Sequence, residues 1–205
     1  MEDQATTLRT IASTASAIKL MSRSTQNSKQ RRCLAITGGK GGVGKSNLAV
    51  NLAIELGALG NQVGLLDADF GLANVDLLCG VSPKFHLGHV VAGLKNLNDV
   101  MLELADNVKL IPGGSGVEEL ANFSLASRPQ IFAQVRAMEE ELNFMLVDTA
   151  AGIAENVSGV LSSASEVIIV VTPEPTSIVD AYATIKVILR HSPGKPISVV
   201  INNII

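Results

Sequence analysis

The stretch Gly38-Gly39-Lys40-Gly41-Gly42-Val43-Gly44-Lys45-Ser46 decides the fold class of this chain. From Gly39 onward it satisfies the pattern G-x-x-x-x-G-K-[ST], in which the backbone N–H groups of a glycine-rich loop surround phosphate groups. An apolar run at 33–37 precedes the loop, and a helical pattern follows it to residue 59. Strand, glycine loop and helix is the context that the pattern requires, so a plain glycine turn is the weaker interpretation.

The residue types in this stretch suit a nucleotide and a metal ion. Glycines let the backbone approach a triphosphate closely, and the helix N-terminus after Gly44 adds the positive end of its dipole. Lys45 is expected to reach the β- and γ-phosphates, and the Ser46 hydroxyl is expected to ligate Mg²⁺. The predicted cofactors are therefore ATP or ADP with Mg²⁺. The predicted nucleotide-binding residues are Gly39, Lys40, Gly41, Gly42, Val43, Gly44, Lys45, Ser46 and Asn47.

Apolar runs and helical patterns alternate along the rest of the chain. Strands are predicted at 33–37, 63–66, 108–111, 144–147, 167–171 and 197–201. Helices are predicted at 45–59, 127–141, 155–164 and 177–190, with shorter helical pieces around 98–104 and 116–122. This alternation predicts an α/β fold of the P-loop NTPase type, with a mainly parallel sheet flanked by helices on both faces.

The first 31 residues differ from the rest of the chain. Residues 3–20 space their apolar side chains helically, and residues 22–30 are polar and lack periodicity. We therefore divide the chain into an N-terminal helix with a flexible linker, 1–31, and an ATPase domain, 32–205. Residues 1–32 carry a balance of +4, and the remainder sums to −7. This acidic body argues against non-specific DNA binding over its general surface, and no specific nucleic acid is expected as a partner.

Composition indicates a cytoplasmic protein. At 205 residues the chain can form one domain with a sizeable core and an appendage. Its first apolar residues are interleaved with polar ones, unlike a secretory signal, and the run at 167–171 is too short to cross a bilayer. Cys33 and Cys79 form neither a disulfide framework nor a metal pattern. Three histidines without metal-ligand spacing are expected at the surface: His86, His89 and His191.

Three carboxylates come close after predicted strands. Asp67 and Asp69 follow the strand at 63–66, and Asp148 follows the strand at 144–147. Ligands of such sheets bind at the carboxyl ends of the strands, and an acid beside a P-loop can hold the shell of a Mg²⁺ ion. Each carboxylate alone is also compatible with helix capping. All three beside a phosphate-binding loop favour a metal site.

Lys40 inside the loop, the Asp67-x-Asp69 segment and the Asp148 segment together resemble the deviant Walker ATPases of the MinD/ParA class. The resemblance implies that two subunits sandwich ATP and form a homodimer that separates after hydrolysis. It also implies that Lys40 acts across the subunit interface, that Asp69 orients the attacking water, and that Asp67 and Asp148 serve the metal with Ser46. The implied catalytic residues are Lys40, Lys45 and Asp69.

Other segments are similar to one branch of that class, the FlhG (YlxH/FleN) family of flagellar-number regulators. They are 69–76, 111–116, 172–182 and the head Asp3-Gln4-Ala5-Thr6-Thr7-Leu8-Arg9, which matches the D-Q-A-x-x-L-R activator motif of that family. The resemblance implies that the head stimulates FlhF, a GTPase of the signal-recognition-particle type. The implied contact residues are Asp3, Gln4, Ala5, Leu8 and Arg9. Flagellar switch or C-ring proteins and a flagellar transcription activator extend the set of candidate partners.

Two features near the end of the chain concern the same resemblance. Asn202 follows the last predicted strand and corresponds to the family position that recognises adenine, although such an asparagine is also a common turn former. The 205 residues end directly after the last predicted strand, and we expect the C-terminal amphipathic helix that binds membranes in this family, with other C-terminal elements, to be missing from them. We therefore expect peripheral membrane association only where such a helix is present.

Three alternatives remain at this level. A septum-positioning or cargo-partitioning ATPase of the MinD/ParA class would lack the D-Q-A head. A non-enzymatic adaptor would use ATP only to lock a binding surface. An iron–sulfur scaffold of related fold is disfavoured because no paired cysteine motif is present. For the head itself, docking of a capped amphipathic helix on the body of the chain is the alternative, and the resemblance favours binding to a partner.

Overall fold

The computed structural model describes residues 32–70, 73–114, 134, 138, 141–152 and 155–203. The predicted N-terminal helix and linker, the piece at 116–122 and most of the helix at 127–141 lie outside these residues. Gln134 and Met138, inside that last range, have helical backbone.

The described residues form seven strands and six helices. The strands are β1 (Arg32–Thr37), β2 (Val63–Ala68), β3 (Leu102–Ala105), β4 (Val108–Ile111), β5 (Phe144–Thr149), β6 (Glu166–Val171) and β7 (Ile197–Ile201). The helices are α1 (Lys45–Ala58), α2 (Val75–Leu78), α3 (Leu87–Val91), α4 (Leu97–Val100), α5 (Glu155–Ser163) and α6 (Pro175–His191).

These strands form one sheet in the order β3-β4-β2-β5-β1-β6-β7. Every neighbouring pair is parallel except β3, which is antiparallel to β4. In β1, Ala35 pairs with Val147 of β5 on one side and with Val167 of β6 on the other. The predicted mainly parallel sheet is confirmed, and the loops that follow its parallel strands meet at one edge.

Helices cover both faces of the sheet, as predicted. Leu34 and Ile36 of β1 pack in the same cluster as Ala53 of α1, whereas Ala35 packs in a second cluster with residues of α5 and α6. Alternate residues of a strand face opposite sides, which assigns the two clusters to the two faces. The central strands are therefore buried on both sides, which explains their continuous apolar runs.

Two central strands are longer than predicted. β2 continues to Ala68 and β5 to Thr149, so Asp67 and Asp148 lie inside the strands and not after them. The two residues are direct partners in the β2–β5 register. The ladder joins backbone groups, so it continues past a polar side chain where the neighbouring strand continues too. The carboxylates consequently sit side by side at the ligand-binding edge.

The predicted helical piece at 98–104 is only partly correct. α4 ends at Val100, Met101 has extended backbone, and residues 102–105 form the edge strand β3. A tight turn at Asn107, with φ of 63°, returns the chain to β4. Short apolar sequences are ambiguous between helix and strand, and the partner strand β4 decides the outcome here.

The three histidines, expected at the surface, differ in exposure. His191 is exposed, but His86 and His89 are half-buried and their ring centroids lie 4.2 Å apart. Nδ1 of His86 accepts the Gly88 N–H at 3.2 Å, and Nδ1 of His89 accepts the His86 N–H at 3.3 Å. The pair thus caps the N-terminus of α3, a role more usual for Ser, Thr, Asp or Asn.

The helix α6 begins at Pro175, a residue suited to the first helical position. One of its sides leaves apolar side chains in solvent, including Val179 at 64% and Tyr182 at 65% exposure. No helix in the described part of the chain combines the length and the apolar character needed to cross a membrane.

Candidate nucleotide-binding site

The loop between β1 and α1, residues 38–44, has the backbone of a phosphate-binding loop. Gly42 and Gly44 have φ angles of 78° and 96°, in the region that favours glycine. The helix α1 begins directly after the loop, and its N-terminus has neither a side-chain cap nor an acidic residue in the first turn. The first N–H groups of this 14-residue helix are therefore available to an anion.

The side chains around this N-terminus divide into structural and polar ones. Val43 is 2% exposed and packs in the core, so only its backbone is left for a ligand. Lys45 is buried, Ser46 is half-buried and Asn47 is exposed. A buried lysine at the start of a helix lies against the positive end of the dipole, which makes a bound anion favourable.

Asp148 lies beside the start of α1 with an unused oxygen. Its Oδ1 is buried and has no hydrogen-bond partner. Burial raises the pKa of this carboxyl to about 6, although a hydrogen bond with Ser46 and the charge of Lys45 act in the opposite direction. An orphaned carboxylate oxygen next to a serine hydroxyl is a donor set that suits a hard cation.

Asp67 is held differently from its neighbour. Its Oδ1 accepts the Asp69 N–H at 3.1 Å, and its Oδ2 accepts the N–H groups of Asn74 and Val75, both at 3.1 Å. Burial raises the pKa of Asp67 to about 7 even though these backbone bonds favour the ionised form. Asp67 therefore organises the chain that follows β2, and Asp69 lies in that chain, half-buried and directly beyond the strand.

The donor set fits Mg²⁺ only together with a nucleotide. Among the residues that the structure describes, no group of three or more His, Cys, Asp or Glu side chains could hold a metal ion. Mg²⁺ commonly takes one or two protein oxygens and completes its shell with phosphate and water. Ser46 and Asp148 provide such oxygens, and the role of Asp67 as a further metal residue stays a prediction.

Lys40 contacts the start of α6. Its Nζ donates to Oε2 of Glu174 at 2.8 Å and lies 3.5 Å from Oγ1 of Thr176. The hydrogen bond and charge of Glu174 raise the pKa of Lys40. A Cβ at Gly39 would overlap the backbone of Asp180 in α6, so the first half of the loop lies directly against this helix. The lysine is thus held in its own subunit by the start of α6.

Asn202 also contacts the loop, from the end of β7. Its Nδ2 donates to the backbone oxygen of Val43 at 3.0 Å, and a Cβ at Gly44 would overlap the same nitrogen. The N–H of Gly152, in the segment after β5, donates to the Gly38 oxygen at 3.0 Å. Residues that follow β5, β6 and β7 therefore contact the phosphate-binding loop.

The structure brings most of the predicted site residues together around residues 38–47. The activator residues Asp3, Gln4, Ala5, Leu8 and Arg9 lie outside the described residues. Sequence reasoning missed the roles of Glu174, Asp180 and Gly152 as contacts of the loop. The pattern Thr172-Pro173-Glu174-Pro175 did mark the segment, but nothing in the sequence pairs Glu174 with Lys40, which lies 134 positions away.

Comparison with known families and proteins is consistent with this site. A family model described as ParA, NUBPL iron-transfer P-loop NTPase, matches residues 29–205. The antiactivator FleN of Pseudomonas aeruginosa is 46% identical over 157 residues, which cover 77% of this chain and 56% of FleN. The flagellum site-determining protein YlxH of Helicobacter pylori is 41% identical over 161 residues, covering 78% of this chain and 55% of YlxH. The chain thus spans little more than half the length of either relative.

A solved structure has the same architecture. The septum site-determining protein MinD of Pyrococcus horikoshii, in complex with Mg-ADP, superposes with a TM-score of 0.71 at 28% identity, covering 81% of this chain and 67% of MinD. The mainly parallel sheet with helices on both faces is therefore shared with a protein whose structure contains a magnesium nucleotide.

Proposed function

Because this chain belongs to the ParA family of P-loop NTPases, we propose that it is an ATPase switch that dimerises with ATP and regulates flagellar number or placement. The similarity to FleN and YlxH supports the flagellar role. The arrangement of Lys45, Ser46 and Asp148 supports the nucleotide chemistry.

One observation carries the proposal of an ATPase: the unpartnered oxygen of Asp148 lies next to the uncapped start of α1. A buried carboxylate oxygen without a partner is costly unless a cation or water uses it. The same place offers N–H groups and a buried lysine to an anion. A magnesium nucleotide supplies both missing partners at once.

Each residue of the site then has a distinct task. Lys45 and the N–H groups of the loop neutralise charge on the phosphates, and Ser46 with Asp148 would hold the Mg²⁺ ion. Bound there, Mg²⁺ supplies further charge neutralisation between the phosphates. Asp69 lies just beyond β2 and orients the attacking water, while Asp67 fixes the backbone on which Asp69 sits.

Lys40 links this chemistry to self-association. In the described part of the chain its Nζ is paired with Glu174. We infer that it leaves Glu174 when a second copy approaches and that it then contacts the nucleotide of that copy. Such a lysine makes hydrolysis depend on dimer formation. The dimer then dissociates once the γ-phosphate has been released.

The ATPase is tested by single-turnover hydrolysis of ATP with Mg²⁺. Wild-type protein is expected to hydrolyse ATP, and Lys40→Ala is expected to slow hydrolysis at least tenfold while still binding ATP. Lys84→Ala, which changes an exposed lysine on the loop before α3, serves as the matched control. Equal rates above the uncatalysed background in wild type and Lys40→Ala would contradict the role of Lys40. Rates at that background in both proteins would instead support a non-enzymatic adaptor whose surface is locked by ATP.

The flagellar role is tested with an FlhF-type GTPase as the probe. We propose that the head at residues 3–9 stimulates GTP hydrolysis by this partner, so adding the full chain should raise its rate. Gln4→Ala should abolish the stimulation, whereas Gln30→Ala, in the predicted linker, should preserve it. Absence of stimulation by a chain that binds ATP would favour a septum-positioning or cargo-partitioning role of the MinD/ParA class.

The iron-transfer role in the description of the family model is not part of this proposal. Cys33 lies in β1 and Cys79 follows α2, and neither belongs to a metal-ligating cluster among the described residues.

A further inference from the structure

Asn202 is bound to the sheet by its backbone and to the phosphate-binding loop by its side chain. Its backbone N–H donates to the Val171 oxygen at 2.8 Å and so extends the pairing of β7 with β6 by one residue. Its Nδ2 donates to the Val43 oxygen at 3.0 Å. The sheet thereby holds a carboxamide against the turn at Gly44, the residue that immediately precedes α1.

We propose that Asn202, at the position to which the resemblance assigns recognition of adenine, is in addition a positioning residue for the phosphate-binding loop. This inference deepens the proposed function and rests on it. The hydrogen bond to the Val43 oxygen constrains the orientation of the peptide between Val43 and Gly44. The left-handed φ of 96° at Gly44 is the conformation that this hydrogen bond holds.

The chemistry of a carboxamide permits both tasks at once. An asparagine side chain offers two N–H donors and one acceptor oxygen. One donor is used on the Val43 oxygen. Among the described residues, no other hydrogen bond engages the second N–H donor or the oxygen of this carboxamide. A donor next to an acceptor matches N7 and the N6 amino group of adenine. One side chain therefore connects recognition of the base with the shape of the loop that holds the phosphates.

The two roles predict different behaviour toward a ligand without a base. Substitution of a residue that only contacts adenine weakens the binding of ATP and leaves the affinity for inorganic tripolyphosphate unchanged. Substitution of a residue that positions the loop weakens the binding of both ligands. Asn61→Ala is the matched control, because Asn61 makes the same kind of bond, from Nδ2 to the Leu56 oxygen at 3.0 Å, at the far end of α1.

The decisive experiment is titration calorimetry of the full chain with Mg²⁺-ATP and with Mg²⁺-tripolyphosphate. Asn202→Ala should weaken tripolyphosphate binding about five- to tenfold, as expected for one lost hydrogen bond to a positioned backbone group, and ATP binding at least as much. Asn61→Ala should leave both affinities within about twofold of wild type. Loss of ATP affinity with unchanged tripolyphosphate affinity in Asn202→Ala would overturn the positioning role and keep the nucleotide site.

Hydrogen exchange of the ligand-free protein gives a readout that does not depend on binding. Exchange at the backbone amides of residues 43–47 should accelerate in Asn202→Ala and stay at the wild-type rate in Asn61→Ala. Unchanged exchange in both variants would overturn the proposal. Faster exchange in Asn202→Ala alone, in a protein that binds neither ligand, would support the loop contact and contradict the ATPase instead.

Discussion

At the scale of single residues, two neighbouring carboxylates have different environments. Asp67 and Asp148 are partners in adjacent strands, but Asp67 accepts three backbone N–H groups and Asp148 keeps one oxygen without a partner. The sequence assigned the same metal role to both. Their difference arises from the segment after β2, which folds back over Asp67, and no local pattern predicts that fold.

The raised pKa values predict how stability depends on pH. Asp67 and Asp148 have folded-state pKa values of about 7 and about 6, both above the value of roughly 3.9 in an unfolded chain. Between these limits the folded state binds more protons than the unfolded state. The contribution of the two groups to the free energy of unfolding is therefore fully present at low pH and is lost as pH rises toward about 7.

Denaturant titrations of the ligand-free protein at several pH values measure this effect. His86 acts in the opposite direction, because burial lowers its pKa and its contribution grows as pH rises. We therefore compare wild type with Asp148→Asn, in which the side chain at 148 is neutral at every pH. The stability of the variant relative to wild type should increase between about pH 4 and pH 7. A difference that is constant with pH would contradict the raised pKa of Asp148.

The Lys40–Glu174 pair predicts an effect on kinetics and not on stability. Both side chains are largely exposed, at 44% and 61%, so solvent screens the pair and it contributes little to the free energy of unfolding. Glu174→Gln should leave the melting temperature nearly unchanged and release Lys40. We expect ATP-dependent dimerisation, followed by stopped-flow light scattering, to become up to about fivefold faster.

Glu55→Gln, which neutralises an exposed acid on α1, is the control for a simple change of net charge. If both variants dimerise at the wild-type rate, Glu174 does not restrain Lys40. If both accelerate equally, net charge is responsible.

At the scale of elements, the sequence predicts the helices and strands that have a local motif or a long run of apolar periodicity. The loop, α1, the central strands and α6 follow from a motif and from apolar periodicity, and they agree with the structure to within a few residues. The edge strand β3 and the cap of α3 depend on partners elsewhere. β3 forms because it pairs with the neighbouring strand β4. Histidines cap α3, at a position where Ser or Asp is more usual.

Two helical glycines make a matched test of packing against propensity. Ala is favoured over Gly in a helix by about 1 kcal/mol. At Gly159 in α5 a Cβ would meet nothing within 4 Å, so Gly159→Ala should stabilise the protein by up to about 1 kcal/mol. At Gly57 in α1 a Cβ would overlap the Val108 side chain and lie 2.8 Å from the Asp106 oxygen.

Gly57→Ala should therefore destabilise by about 1–3 kcal/mol, because overpacking against backbone outweighs the gain in propensity. Urea midpoints of both variants provide the measurement. Equal stabilisation by the two substitutions would show that α1 can shift away from β4 at little cost.

At the scale of the whole molecule, the central prediction is a dimer controlled by nucleotide. We expect Asp69→Ala to slow hydrolysis and to accumulate as a dimer with ATP, because the group that orients the attacking water is gone. Light scattering should show a doubled mass with ATP and a single chain with ADP. Asp106→Ala, in the exposed turn before β4, should behave as wild type. An ATP-loaded Asp69→Ala protein that stays monomeric would contradict the switch.

The arrangement of the loop contacts could not be deduced from the sequence at this scale. Each of Gly152, Glu174 and Asn202 follows a different strand, and only the strand order brings them to residues 38–44. The sequence predicts a mainly parallel sheet, but the order of strands depends on how the helices cross over it. The phosphate-binding residues could therefore be named in advance, and the residues that support them could not.

The exposed face of α6 gives this protein a built-in optical probe. Tyr182 is the one tyrosine in a chain that has no tryptophan, so its ultraviolet emission comes from a single known position. That position lies on the helix whose first residues hold Lys40, two turns from Glu174. Fluorescence of the unlabelled protein consequently reports on this helix alone, and its quenching or anisotropy can follow the release of the lysine in real time.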